Sequence, residues 1–162
     1  MVSVKKVTVP STQADSDQRL DDLYKVEYAG MVRLAYTLLG SNEEAEEIVQ
    51  ESFVDVYRRL NEIKRPGGYL RTAVVNRCRS ALRRRRVMAL HPPEPPVGLP
   101  SDAGELWDVL MKLPEDQRIA VVLRYYGGYR ASEIATIAAL PAATVRSHLR
   151  RGLAVLRKEL EP

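Results

Sequence analysis

Five of the ten prolines fall between Met88 and Gly104, at Pro92, Pro93, Pro95, Pro96 and Pro100. Proline lacks the amide donor a helix needs and pushes the residue before it out of the helical region, so a run such as HPPEPPVGLP cannot lie within a helix. It reads as a semi-extended linker of polyproline character that divides the 162 residues into two parts. Each part has room for a core of only moderate size. Apolar residues on both sides recur at steps of three and four rather than alternating with period two. The expected fold class is therefore all-α, with two small helical domains joined by the Pro-rich linker.

In the first part, Tyr24, Tyr28, Met31, Ala35 and Leu38 form a helical stripe that Leu20, Leu34 and Leu39 widen. Gly40 ends that helix, and Ser41-Asn42-Glu43-Glu44 is a capping box for the next. The second helix is expected to bury Ala45, Ile48, Val49, Phe53, Val56 and Leu60. Pro66-Gly67-Gly68 breaks the chain, and a third helix from about Tyr69 to Val87 turns Leu70, Val74 and Leu82 inward. Cys78, with no second thiol in the chain, suits a small buried or semi-buried site. Beyond the linker, Leu106, Val109, Leu110 and Leu113 suggest a short helix, and Pro114 opens another carrying Ile119, Val122, Leu123 and Tyr126. Gly127-Gly128 stops it. Tyr125 and Tyr126 are most simply core. Met1 to Gln18 is polar without a helical period and reads as a flexible tail.

A net charge of +4 conceals a strong order along the chain. Residues 41–55 carry Glu43, Glu44, Glu46, Glu47, Glu51 and Asp55 and no base, a local charge of −6. Residues 58–86 hold eleven Lys and Arg against Glu62 alone, a local +10, and residues 144–158 add +5. Two separated basic blocks suit a polyanion. Several function classes are excluded in the same pass. One cysteine builds neither a disulfide framework nor a multi-Cys zinc site and points to a reducing compartment. No apolar run approaches the ~20 residues of a membrane span, and no signal peptide is visible. The chain has no nucleophile–base pair, phosphate-binding glycine loop or metal cluster. The expectation is thus no catalytic residues, metal, cofactor or small-molecule substrate, and no membrane insertion.

The end of the chain is the most specific segment. Ser132 to Ala139, a turn around Leu140-Pro141 and a basic amphipathic helix from Ala142 to Leu160 describe a helix-turn-helix. Ile134, Ala135 and Leu140 pack the first helix against Val145 and Leu149 of the second. That leaves Thr144, Arg146, Ser147, His148, Arg150 and Arg151 on or near the outer side, where a recognition helix presents its N-terminal residues to base edges and phosphates. His148 lacks a companion at ligand spacing and serves better as a polar contact to DNA than as a metal ligand.

With both parts in view, the sequence resembles the small, two-domain extracytoplasmic-function (ECF) sigma factors of bacteria. LAYTLLGSNEEAEEIVQESFVDVY is similar to that family's polymerase-binding helix with its lead-in, and YLRTAVVNRCRSALRRRR to the helix that reads and melts the promoter −10 element. LPEDQRIAVVLRYYGGYRASEIA and TVRSHLRRGLAVLRKEL are similar to the domain that reads the −35 element. The resemblance implies a tail over residues 1–18, a sigma-2-like domain over 19–87, the linker over 88–103 and a sigma-4-like domain over 104–162. It places core-polymerase contacts on Glu47, Gln50 and Glu51. The −10 contacts fall on Tyr69, Asn76, Arg79, Arg83 and Arg84, and the −35 contacts on Thr144, Arg146, Ser147, His148, Arg150 and Arg151. An aromatic at position 69 can stack on unpaired bases, and Asn61 to Gly68 resembles a pocket for a flipped base.

The implied partners are core RNA polymerase, promoter DNA as duplex and as melted strand, and an anti-sigma factor, in the cytoplasm and on the nucleoid. Four positions depart from the family: Ser80 stands where aspartate is common, Arg130 and Pro141 where serine-type caps are usual, and Ala139 in place of the frequent turn glycine. Two other readings remain open at this point. One is a stand-alone helix-turn-helix regulator, which leaves the first part unexplained. The other is an interaction module that binds polymerase without reading DNA.

Overall fold

The computed structural model describes residues 13–88 and 101–161. Seven α-helices make up the described chain: α1 (Gln13–Leu39), α2 (Asn42–Arg59), α3 (Pro66–Met88), α4 (Ser101–Lys112), α5 (Glu115–Tyr125), α6 (Ala131–Ala138) and α7 (Ala142–Leu160). No strand occurs among these residues, in agreement with the all-α expectation. The clustered prolines lie outside the described residues.

Helices α1, α2 and α3 pack on one another as a three-helix bundle. Gly40 takes a left-handed conformation (φ 74°) and donates its amide to the Tyr36 carbonyl at 2.8 Å, which turns the chain out of α1. Ser41 follows as the N-cap of α2, its hydroxyl accepting from the Glu44 amide at 3.3 Å. All six residues expected to be buried on α2 are buried. The core of the bundle is completed by Met31, Leu34, Ala35, Leu38 and Leu39 of α1 and by Leu70, Val74, Val75, Cys78, Ala81 and Leu82 of α3.

Three boundaries differ from the sequence reading. Helix α1 begins at Gln13, inside the segment read as a tail. Side-chain bonds from Gln13 to Asp17 and from Gln18 to Asp22, both 2.9 Å, support its first turns, and Ser16 is buried near Asn61. Pro66-Gly67-Gly68 does not break the chain before α3 but forms its first turn. Proline has no amide to waste at that position, and Tyr69 N–H already bonds the Arg65 carbonyl at 3.1 Å. At the other end α3 reaches Met88, and α4 starts at Ser101, within the segment assigned to the linker.

Helices α4, α5 and α6 all pack on α7 or α5. Trp107, Val109 and Leu113 of α4 are buried; Trp107, which the apolar pattern did not mark, stacks on Tyr36 with ring centroids 5.2 Å apart. Ile119, Val122 and Leu123 of α5 meet Ile134 and Ile137 of α6 and Val145 of α7. Between α5 and α7 the backbones approach so closely that a Cβ at Gly152 would lie 2.7 Å from Val121 Cγ2. Tyr125 and Tyr126, read as core, are instead exposed, at 61% and 52%.

Candidate nucleic-acid interface

The helix-turn-helix is built from local chemistry. Arg130 cannot cap α6 as serine would, but its backbone amide is bonded by the Glu133 carboxylate at 2.8 Å, and that bond holds the Glu133 carboxyl below its usual range. At the far end Ala139 adopts φ 52°, ψ 45°, and two amides close a Schellman motif. Leu140 donates to Ala135 at 3.0 Å and Ala139 to Thr136 at 3.4 Å. Pro141 then starts α7, its carbonyl accepting from Val145 at 3.1 Å. Val145 and Gly152 face inward. Of the six residues expected on the DNA side, Arg146, Arg150 and Arg151 are exposed, whereas Thr144, Ser147 and His148 are half-buried. The Nδ1 of His148 is buried and has no hydrogen-bond partner among the described residues.

On α3 the expected residues divide by the direction their side chains take. Tyr69, Asn76 and Arg83 are seven apart and share one strip, since seven residues advance a helix by nearly two turns. Asn76, Arg83 and the neighbouring Arg84 are exposed, and Tyr69 is half-buried. Arg79, three residues after Asn76 and four before Arg83, borders this strip, but its side chain leaves it. It is turned toward the second half of the molecule, with a side-chain exposure of 13%, and bonds the Ala138 carbonyl at 2.7 Å.

Glu47, Gln50 and Glu51 are all exposed on α2. The acidic block they belong to is partly neutralised by α3: Arg77 pairs with both Glu51, at 3.2 Å, and Asp55, and Arg85 pairs with Glu44. Glu47, Glu51, Asn76, Arg77, Ser80 and Arg84 line one polar cleft of about 390 Å³ between the two helices. Residues assigned to two partners in the sequence reading thus share a wall. The loop from Asn61 is shorter than expected, since Pro66 to Gly68 are helical.

Two apolar surfaces were not anticipated. Leu106, Leu110, Val122, Tyr125, Tyr126 and Leu156 line a groove of about 330 Å³ on α4, α5 and α7. Leu20, Tyr24, Phe53, Val54 and Tyr57 line another of about 480 Å³ on α1 and α2, with Asp17 and Asp21 at its rim. Two adjacent tyrosines at the end of α5, just before Gly127-Gly128, were the available sequence signal for the first. Buried Arg118 also went unmarked. Its guanidinium bonds the carbonyls of Leu38 (3.1 Å), Met111 (2.7 Å) and Leu113 (3.2 Å), and burial lowers its pKa. No group of three or more His, Cys, Asp or Glu able to hold a metal occurs among the described residues. None of the described helices is long and apolar enough to cross a membrane.

Comparison with known proteins agrees with this geometry on both sides of the prolines. Residues 23–87 match the model of sigma-70 region 2, and residues 103–156 match that of sigma-70 region 4. The chain is 26% identical to the ECF RNA polymerase sigma factor SigW of Bacillus subtilis, over 97% of this chain and 96% of that protein. It is 31% identical to the RNA polymerase sigma-E factor of Streptomyces coelicolor, over 80% and 79% of the two chains. Among solved structures, the sigma factor RpoE in its complex with the anti-sigma factor NepR from Bartonella quintana shares the fold. The TM-score is 0.71 at 21% identity, covering 91% of this chain and 97% of that one. With regions 2 and 4 both present and in order, and with relatives matched over most of their length, the chain belongs to the ECF family of RNA polymerase sigma factors.

Proposed function

We propose that this alternative sigma factor, which binds core RNA polymerase and directs promoter-specific initiation, divides that work among three helices. The exposed face of α2 at Glu47, Gln50 and Glu51 docks on the polymerase, where a carboxylate-amide-carboxylate row complements a basic surface. The strip of α3 at Tyr69, Asn76 and Arg83, with Arg79 and Arg84 beside it, holds the opened −10 strand by stacking and phosphate contacts. The start of α7 enters the major groove of the −35 element, with Arg146, Arg150 and Arg151 outermost and Thr144, Ser147 and His148 at its edge. The corresponding units are residues 19–87 and 104–162, with 88–103 spanning between them and 1–18 preceding them.

The observation that carries this reading is the presence, in one chain, of the region 2 fold with the exposed Glu47–Gln50–Glu51 face of α2 and the region 4 helix-turn-helix with exposed arginines on α7. A stand-alone regulator is not favoured, because it gives the first fold no task. The polymerase performs the chemistry, so the factor itself is not an enzyme, and its place of work is the cytoplasm, on the nucleoid when active. RpoE of Bartonella quintana is held by an anti-sigma factor, and an inhibitor of that class is the expected regulatory partner here.

Polymerase capture tests the first surface. Core enzyme retained by the tagged chain should fall at least tenfold with Glu47→Lys combined with Gln50→Lys, with the melting curve nearly unchanged because both side chains are exposed and neither is engaged in an ion pair among the described residues. Undiminished capture would remove α2 from the polymerase interface.

A further inference from the structure

Gln13, the first described residue, stands at one end of the apolar groove between α1 and α2. Its Nε2 donates to the Tyr57 hydroxyl, which in turn donates to Asp17 Oδ1 at 3.2 Å. The groove, about 480 Å³, is floored by Phe53, which is buried and meets the Tyr24 ring at 5.2 Å between centroids. Its walls are uncovered: Val54, Tyr24 and Tyr57 are 47%, 44% and 41% exposed. Three large apolar side chains left open side by side suit an apolar partner.

The surrounding charge narrows the choice. Over its first turns α1 carries Asp15, Asp17, Asp21 and Asp22 against Arg19, and Lys25 pairs with Asp21 at 2.6 Å. Asp17 is bonded by Gln13 and Tyr57, both neutral, which leaves its charge for a cation. The complement of this surface is a short apolar segment that also carries basic residues.

The sequence supplies such a segment at the matching end. MVSVKKVTVPST leads into Gln13 and holds Val2, Val4, Val7 and Val9, Lys5 and Lys6, and no acid. Pro10 disfavours the helical region for Val9, and β-branched Val7 and Thr8 favour extended backbone. Residues two apart on an extended segment share a side, so Val7 and Val9 point together. The groove follows α1 from Asp17 to Tyr24, about 10 Å at a helical rise of ~1.5 Å per residue. Three extended residues at ~3.3 Å each cover that length. Pro10, Ser11 and Thr12 remain for the reversal of direction.

We infer that residues 1–12 fold back on α1 and α2 and occupy this groove, with Val7 and Val9 against Tyr24, Val54 and Tyr57 and with Lys5 and Lys6 beside the Asp17 and Asp21 rim. The contact is intramolecular, and the tether holds the segment at an effective concentration on the order of millimolar. Val54 lies one turn beyond Gln50 on α2, so the seated segment borders the row assigned to core polymerase. The docking itself needs no polymerase.

The test combines Val7→Cys with Val54→Cys in the full chain and adds a short bismaleimide; native Cys78 is buried and does not compete. Linked monomer should form at least fivefold faster than in the same pair carrying Val9→Asn. It should form at least twofold faster than in the pair carrying Asp17→Asn, which loses only the charge. Equal rates in all three show a tether that merely passes near the groove, and overturn the docking. A second measurement uses Val54→Cys alone. Deleting residues 2–9 should speed its alkylation at least fivefold and leave that of Glu159→Cys, exposed on α7, unchanged. An unchanged rate at position 54 overturns the docking as well. Covalent dimers that increase with protein concentration, in place of linked monomer, give the groove to a second copy of the chain and overturn the assignment to residues 1–12. Circular dichroism verifies that each variant is folded.

Discussion

Ala139 holds a backbone conformation that disfavours any residue with a Cβ, at φ 52° and ψ 45°, in the turn on which the helix-turn-helix depends. Glycine would adopt it freely. Ala139→Gly is expected to stabilise the protein by about 1 kcal/mol, a rise in Tm of roughly 2–4 °C for a chain of this size, measurable by calorimetry. Cys78 makes a second residue-scale prediction. Burial pushes its thiol up to about 12 from 9.0. The folded protein therefore keeps a proton that the unfolded chain gives up as pH rises past 9. The stabilisation is fully present below pH 9 and is lost toward pH 12, at about 1.4 kcal/mol per pH unit. Denaturant titrations from pH 8 to 10.5 should show the protein losing stability more steeply than its Cys78→Ala variant; parallel slopes would contradict the burial. The departure of Ala139 from the turn glycine was visible in the sequence, as was the solitary cysteine. The proton held by Cys78 was not, because it depends on neighbours from three helices.

At the scale of the element, the stripes of α2 and α3 were legible because a helix repeats every 3.6 residues, so Ala45, Val49, Phe53 and Val56 declare one face. Boundaries were less so. Proline and glycine ordinarily end helices, yet Pro66 opens α3, and only the position of the preceding turn distinguishes the two roles. The charge blocks were legible as blocks but not as pairs. Arg77 reaches Glu51 across 26 residues of sequence, and Arg85 reaches Glu44 across 41. Consequently the acidic face that remains for a partner is narrower than a local charge of −6 suggests. Tyr125 and Tyr126 were misread because aromatic residues beside a buried stripe are usually core. Here α5 ends just where they turn outward, and they wall an apolar groove instead.

Across the whole molecule, Arg118 ties the halves together. One guanidinium satisfies carbonyls at the C-terminal ends of α1 and α4, where a cation also meets the negative end of each helix. Arg118→Met would leave those buried carbonyls without their donors, and the expected cost is about 3 kcal/mol, a fall in Tm near 10 °C. A thermal shift under 2 °C would show that the carbonyls find other partners. No sequence pattern marks this residue, since Leu38 lies 80 positions away.

The same long-range packing explains how a chain whose sequence implies two units joined by a linker forms one cluster of buried residues in the structure. Whether this one chain selects promoters for core polymerase is decided by run-off transcription on a genomic fragment library, with start sites sequenced. Starts are expected that require both the factor and core enzyme, share upstream −35 and −10 sequences, and fall at least tenfold with Arg146→Ala combined with Arg150→Ala. Starts that are absent, or that are indifferent to the two arginines, would contradict it.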